Sequence, residues 1–196
     1  METGNIITSR AGRRLAGWAC VSLMLLSLSV VASEQQVVRL FSNDSYNLNL
    51  KMWLLVDDSN SLTIDDITTQ KHQTKFKKNR QNILNLGISD ATYWMRVKLF
   101  YPPAYPNKDN DQQWLLEIAN PSLDIAELFI AEYDGVYKVK SSDTRSEYSG
   151  RDVLHVNSVF PLRLLLGQEI TIYLKVKNST SLYIPLTLWT TAAFAE

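Results

Sequence analysis

Hydrophobic and polar residues alternate along the chain from Val37 onward, in short runs separated by turn residues. The stretch Ser89–Tyr101, SDATYWMRVKLFY, shows the pattern most clearly. As a strand it has one side typical of a hydrophobic core, which would carry Tyr93, Met95, Val97 and Leu99. Its other side mixes aromatic rings with cations and would carry Thr92, Trp94, Arg96, Lys98 and Phe100. That second side either covers neighbouring structure or faces a partner.

The same pattern predicts an all-β domain. Strands are expected at residues 37–41, 49–56, 93–101, 113–119, 125–133, 136–140, 154–162, 170–177 and 182–189. So many short strands in one domain imply two packed antiparallel sheets, because a single sheet would leave a broad apolar face in water. The predicted fold is therefore a two-sheet antiparallel β-sandwich of the jelly-roll type.

Two local signals are specific enough to place a turn and a helix. Asp134-Gly135 lies between two alternating runs and predicts a β-hairpin, because Asp-Gly readily adopts the positive φ angles of a type I′ turn. The stretch SLTIDDITTQ predicts a short helix with Ser61 or Thr63 as its N-cap. Asp65 and Asp66 would then lie near the positive end of the helix dipole.

The N-terminus has the order of residues found in a secretory signal. Arg10, Arg13 and Arg14 precede an apolar run that ends in small residues, which predicts cleavage after Ala32. Retention as a membrane anchor is the alternative, because the run approaches the length that spans a bilayer. The predicted domains are a signal peptide at 1–32 and the sandwich at 33–190, and residues 191–196 follow the sandwich. Cys20 is the only cysteine, so the exported chain would contain none.

Charge and residue types argue against several classes of function. The chain carries 20 basic and 20 acidic residues, so bulk charge does not indicate a nucleic-acid-binding protein. It has two histidines and no G-x-S-x-G motif, which argues against a zinc enzyme and against a serine hydrolase. We therefore expect no enzyme, no cofactor and no metal.

Two polar stretches contain groups that could bind ions. VDDSNS offers oxygen ligands of the kind that Ca²⁺ prefers, but it lacks the glycine and glutamate of an EF-hand loop and is read as a polar turn. KHQTKFKKNR is either a patch for an anionic ligand or a solvated loop, and the loop is favoured because it holds one aromatic residue.

The remaining candidates for binding are aromatic and charged residues on strand faces. If the strands are neighbours, one sheet face would carry both rings and charges, a mixture that can stack on a sugar and bond its hydroxyl groups. The predicted ligand-binding residues are Trp94, Arg96, Glu117, Tyr173 and Lys175. The alternative is that Trp94 and Trp189 pack under a loop and that Arg96 pairs with Glu117 for structural reasons.

Six stretches of the sequence, taken together and in their order, are specific enough for comparison with known families. They are LGISDATYWMRVKL, WLLEIANPSLDIAELFI, DGVY, VFPLRL, IYLKVKNS and PLTLW. Together they resemble the type 2 extracellular domain of bacterial seven-transmembrane receptors with diverse intracellular signalling modules. The resemblance extends over residues 37–189. The residues that match the family pattern are Trp94, Arg96, Asn120, Pro121, Asp124, Phe160 and Pro161.

The resemblance implies a periplasmic sensor domain with a jelly-roll fold similar to carbohydrate-binding modules. In such receptors the domain precedes a seven-helix membrane region and a cytoplasmic output, often a diguanylate cyclase or a histidine kinase. The expected ligand is a small molecule such as a carbohydrate. The rival expectation is a module that docks a periplasmic protein or a second copy of itself as a homodimer. Either a fragment of a longer receptor or a free periplasmic form would fit this sequence.

Overall fold

The computed structural model describes residues 36–103, 113–132, 135–142 and 153–196, together with Met1. Gln35–Glu196 is one compact unit. The predicted signal peptide and its cleavage site after Ala32 lie outside the described residues, and so does Asp134 of the predicted hairpin turn. None of the helices in the described ranges has the length and apolar character needed to span a bilayer.

Short strands dominate the described part of the chain. The strands are β1 (Val38–Arg39), β2 (Ser45–Asn47), β3 (Trp53–Asp57), β4 (Lys77–Lys78), β5 (Leu84–Ile88), β6 (Thr92–Phe100), β7 (Gln113–Ile118), β8 (Ile125–Ala131), β9 (Tyr137–Ser141), β10 (Ser158–Arg163), β11 (Glu169–Lys177), β12 (Ser181–Ile184) and β13 (Leu186–Thr190). The helices are short: α1 (Ile64–Thr68), α2 (Gln70–Gln73), α3 (Thr191–Phe194) and a 3₁₀ turn at Asn49–Lys51.

These strands form three sheets. A seven-stranded sheet has the order β4-β3-β6-β11-β8-β9, and β1 pairs with the end of β6 beside β3. A four-stranded sheet has the order β10-β7-β13-β2, and β12 pairs with β5. The pairings are antiparallel except for that of β1 with β6. The predicted all-β class with antiparallel sheets is confirmed.

The strand predictions differ from the structure where strands are very short or interrupted. The expected strand 182–189 is two strands in different sheets, β12 and β13, with Pro185 between them. Proline has no N–H to donate to a ladder, so it suits such a break. The first residues of the expected strand 49–56 form the 3₁₀ turn. Three short strands, β2, β4 and β5, were not predicted.

The hairpin and the helix cap follow the sequence signals. β8 and β9 pair as an antiparallel hairpin, with the Glu132 N–H donating to the Val136 carbonyl across the turn. Thr63 is the N-cap of α1 and forms a capping box with Asp66. Hydrogen bonds from the Thr63 backbone N–H and hydroxyl group to Asp66 hold the pKa of its carboxyl below the usual value.

The main hydrophobic core contains side chains from both larger sheets. Trp114, Leu116 and Leu188 of the four-stranded sheet belong to the same cluster as residues of β6, β8 and β11. The predicted core side of β6 is confirmed, because this cluster includes Tyr93, Met95, Val97 and Leu99. The opposite side of β6 therefore faces away from the main core.

Candidate functional site

Four of the five predicted ligand-binding residues share one face of the seven-stranded sheet. Arg96 on β6 is paired with Tyr173 on β11, and Trp94 is paired with Lys175 in the same ladder. Directly paired residues point to the same face of a sheet, and this face is opposite to the main core. Alternation placed Trp94 and Arg96 on one side of β6 and Tyr173 and Lys175 on one side of β11, and the pairing of these two strands brings the four residues together.

Glu117 does not belong to this group. It lies on β7 in the four-stranded sheet, so the prediction that placed it beside Arg96 was wrong. Its carboxylate accepts hydrogen bonds from Asn157 Nδ2 at 2.7 Å and from Trp189 Nε1 at 3.0 Å. Alternation showed that Glu117 faces away from its own core, but it could not show in which sheet β7 lies.

The face that carries Trp94 is covered. A second hydrophobic cluster on this side consists of Trp53, Leu55, Ile67, Phe76, Trp94, Phe129 and Tyr173. Trp94 is 0% exposed and Tyr173 is 5% exposed, so neither ring offers an open stacking surface. The Trp94 ring lies 5.3 Å from the Phe129 ring, centroid to centroid. Trp94 is therefore a packing residue in this structure.

The cover is residues 63–76, here called the α1–α2 segment. It contributes Ile67 from α1 and Phe76 from the chain after α2 to the second cluster. Phe76 is 3% exposed, while Lys75 and Lys77 on either side are exposed. The interpretation of this basic run as a solvated loop was therefore wrong at Phe76. A single aromatic residue among lysines was the available signal, and it marked the inward side of the run.

Arg96 lies between the sheet and the α1–α2 segment. Its guanidinium carbon is 4.7 Å from the centroid of the Phe76 ring and 5.5 Å from that of Trp53. One guanidinium nitrogen donates to the side-chain oxygen of Gln73 on α2. Burial lowers the pKa of Arg96, and the neighbouring Tyr173 acts in the opposite direction. The cation is held by aromatic faces and polar oxygens.

Tyr173 and Gln73 complete this network. Gln73 Nε2 donates to the Tyr173 hydroxyl at 3.1 Å and to the Ile67 carbonyl at 2.7 Å. Burial raises the pKa of Tyr173, although its hydrogen bond with Gln73 and the charge of Arg96 act against that rise. The Tyr173 ring also contacts the rings of Phe76 and Tyr137, at 6.2 and 6.0 Å between centroids.

Lys175 lies at the edge of the covered face. Its ammonium forms an ion pair with Glu127 at 3.1 Å and lies 5.7 Å from the centroid of the Trp94 ring. Both members of the ion pair keep about a third or less of their side chains exposed, 31% for Lys175 and 27% for Glu127. Lys175 is thus partly exposed, unlike the buried rings of Trp94 and Tyr173.

An open groove of about 1190 Å³ begins where this covered face ends. It is lined from both larger sheets, by β8, β9 and β11 on one side and by β7 and β10 on the other. Two tyrosines, Tyr137 and Tyr173, line it together with polar and charged groups that include Gln113, Lys138, Arg163, Gln168, Glu169 and Thr171. Of the predicted site residues, Tyr173 lines this groove. The sequence analysis did not identify the other lining residues. The alternation in VYKVK after the hairpin is the signal that could have assigned Tyr137 to one face of its strand.

The turn at residues 57–60 uses its oxygen atoms within the fold. The Asp57 carboxylate accepts from the backbone N–H groups of Ser59 and Leu62, at 3.1 and 3.0 Å. The Asn60 side-chain oxygen accepts from the Thr92 hydroxyl at 2.7 Å and from the Lys177 ammonium at 3.0 Å. Asn60 has a φ of 55°, a left-handed value that asparagine tolerates. Within the described ranges, no group of three or more His, Cys, Asp or Glu residues is arranged to hold a metal ion.

The described strands form an antiparallel all-β domain with a groove that both larger sheets line. The sequence matches the family described as 7TMR-DISM extracellular 2 over residues 49–190, and the chain belongs to this family. The resemblance noted in the sequence is confirmed. The chain is thus an extracellular domain of a transmembrane receptor, which implies a periplasmic location. A comparison with curated proteins found no match.

Proposed function

We propose that this domain is the ligand-sensing input of a bacterial transmembrane receptor and that it binds a small polar molecule, such as a carbohydrate, in the groove beside Tyr173. The groove itself is the observation that carries the proposal, because it combines the partly exposed Tyr137 ring with amide, hydroxyl and charged side chains. Ligand sites in proteins are concave and pair apolar or aromatic surface with a few polar groups that fix orientation. A sugar ring presents both an apolar face and hydroxyl groups, so it suits such a lining.

The predicted residues take different roles in this proposal. Tyr137, which is partly exposed, offers its ring to the ligand, and Tyr173 borders the groove with the 5% of its surface that is exposed. Lys175 lies on the same strand as Tyr173, two residues along from it. Trp94 and Arg96 support the site from beneath, through the second cluster and the network around Gln73. Glu117 has no part in binding, because its carboxylate is used on the other sheet.

The finer features of the receptor belong to the same proposal. The two larger sheets form a jelly-roll sandwich similar to carbohydrate-binding modules, which is supported by the core they share. Residues 1–32 are a cleaved signal peptide, 33–190 the sensor and 191–196 the start of the connection to the membrane region. In the parent receptor a cytoplasmic diguanylate cyclase or histidine kinase provides the output. A ligand changes that output only if it prefers one arrangement of the receptor over another.

A thermal-shift screen of the purified protein tests the proposal. The panel contains neutral and acidic mono- and oligosaccharides, amino acids and organic acids. A ligand at a hundred times its Kd adds about 2.7 kcal/mol of stability, so a true ligand gives a clear and saturable rise in Tm. Tyr137→Ala should abolish the rise, whereas Tyr183→Ala, which removes a partly exposed ring outside the groove, should retain it. A flat screen on folded protein would refute the small-molecule proposal.

Protein docking is the second candidate, and the edge strand β9 is the observation that favours it. Val136 and Val139 are 60% and 49% exposed beside an outer strand of the seven-stranded sheet. Lys138 and Lys140 on the same strand act against it, because lysines on an edge strand discourage pairing with another chain. Sedimentation velocity over a range of concentrations tests for a homodimer through this edge. A concentration-dependent dimer that Val139→Lys abolishes would favour docking.

A further inference from the structure

We infer that the α1–α2 segment responds to occupancy of the groove, because the groove and the segment share Tyr173. This inference rests on the proposed function, since it names the regulation of the same site. Tyr173 is among the residues that line the groove, and its ring contacts that of Tyr137. Its hydroxyl accepts from Gln73 Nε2 of α2, and its ring contacts Phe76.

The segment depends on these contacts for its position. α1 has five residues and α2 has four, lengths at which an isolated helix has almost no stability in water. What holds the segment on the sheet is the burial of Ile67 and Phe76 together with the hydrogen bonds of Gln73. A region held by few tertiary contacts opens locally at a lower free energy than the sheets do.

The Gln73 side chain makes the coupling specific. Its amide nitrogen donates to Tyr173 and Ile67, and its oxygen accepts from Arg96. An occupant of the groove that bonds the Tyr173 hydroxyl or shifts its ring changes the position or strength of the hydrogen bond from Gln73. Because the same amide also bonds Ile67 of α1 and Arg96 of β6, the change reaches α1 and the sheet beneath the segment.

A tethered occupant tests this coupling without the natural ligand. Thr171 lies two residues before Tyr173 on β11 and lines the groove. In a Cys20→Ser background, which removes the only cysteine of the sequence, Thr171→Cys is labelled with N-phenylmaleimide. The matched control is Thr187→Cys with the same label, a half-buried strand position on the four-stranded sheet that does not line the groove.

Hydrogen exchange of the amides of residues 64–76 is the measurement. The labelled Thr171→Cys protein should exchange in this range at a rate changed by about fivefold or more, which corresponds to one altered hydrogen bond, while the β6 and β11 amides keep their protection. The labelled Thr187→Cys protein should match the unlabelled protein. Adding Tyr173→Phe, which removes only the shared hydroxyl, should reduce the effect of the label at Thr171.

The outcomes separate this inference from the proposed function. Unchanged exchange at 64–76 in the labelled Thr171→Cys protein would overturn the inference even if a ligand were found. An equal change from the label at Thr187 would overturn it too, because the effect would then be general. A flat ligand screen, in contrast, would refute the proposed function while the tethered occupant still reported on the coupling.

Discussion

The guanidinium carbon of Arg96 lies 4.7 Å from the centroid of the Phe76 ring, across the interface between the seven-stranded sheet and the α1–α2 segment. A cation and a ring in this geometry attract each other through the ring quadrupole, and burial strengthens the attraction. The contact joins two stretches that are separate in the sequence, SDATYWMRVKLFY and KHQTKFKKNR. It converts an aromatic and cationic strand face, which could have been open to ligand, into a covered second core.

Phe76→Ala tests how much this cover contributes to stability. Phe76 is 3% exposed, and truncating a buried phenylalanine costs about 3 to 5 kcal/mol. Urea unfolding should show a loss in the free energy of unfolding of that size. Lys75→Ala, at the exposed neighbouring position, should change it by less than about 0.5 kcal/mol. Equal and small effects at both positions would restore the solvated-loop interpretation.

Arg96→Lys tests whether the planar guanidinium matters beyond its charge. Lysine keeps the charge but cannot lie flat on Phe76 while donating to Gln73, so we expect a loss of about 1 to 3 kcal/mol in the free energy of unfolding. Arg39→Lys is the matched control, because Arg39 lies 5.2 Å from the Phe100 ring on an exposed strand position. It should cost about 0.5 kcal/mol or less. A cost at position 96 no larger than that at position 39 would contradict a buried cation–π contact.

The sequence was sufficient for what depends on local alternation. It separated the core side of β6 from the side that carries Trp94 and Arg96, and it included Thr63 as one of two N-cap candidates for the helix. Alternation has no information about which strands are neighbours, so Glu117 was assigned to the wrong sheet. Alternation also cannot show what covers a sheet face. Phe76 is buried by tertiary packing although its neighbours in the sequence are lysines. The groove depends on strands from two sheets and was outside the reach of a one-dimensional pattern.

Glu117→Ala tests whether Glu117, on the four-stranded sheet, is separate from the residues around Arg96 on the seven-stranded sheet. The substitution leaves Asn157 Nδ2 and Trp189 Nε1 without their acceptor, so we expect a loss of about 1 to 3 kcal/mol in stability, measured by urea unfolding. Glu127→Ala, which breaks the partly exposed ion pair with Lys175, should cost about 0 to 1 kcal/mol. Neither protein should lose a thermal shift caused by a groove ligand. Loss of that shift in Glu117→Ala alone would return Glu117 to the binding site.

The capping box of α1 predicts a specific dependence of stability on pH. Because the hydrogen bonds from Thr63 lower the folded-state pKa of Asp66, ionised Asp66 favours the folded state. The stabilisation is fully present above the unfolded carboxyl pKa of about 3.9 and is lost as the pH falls through the lower folded-state value. Asp66→Asn should therefore have a lower Tm than the unaltered protein at neutral pH, and the difference should shrink below about pH 4. Asp65→Asn removes a carboxylate from the same helical turn and leaves the capping box intact. Comparing the two variants therefore separates the contribution of the capping box to stability from that of the helix dipole. A Tm difference for Asp66→Asn that stays constant down to acid pH would contradict the capping role of the ionised carboxylate.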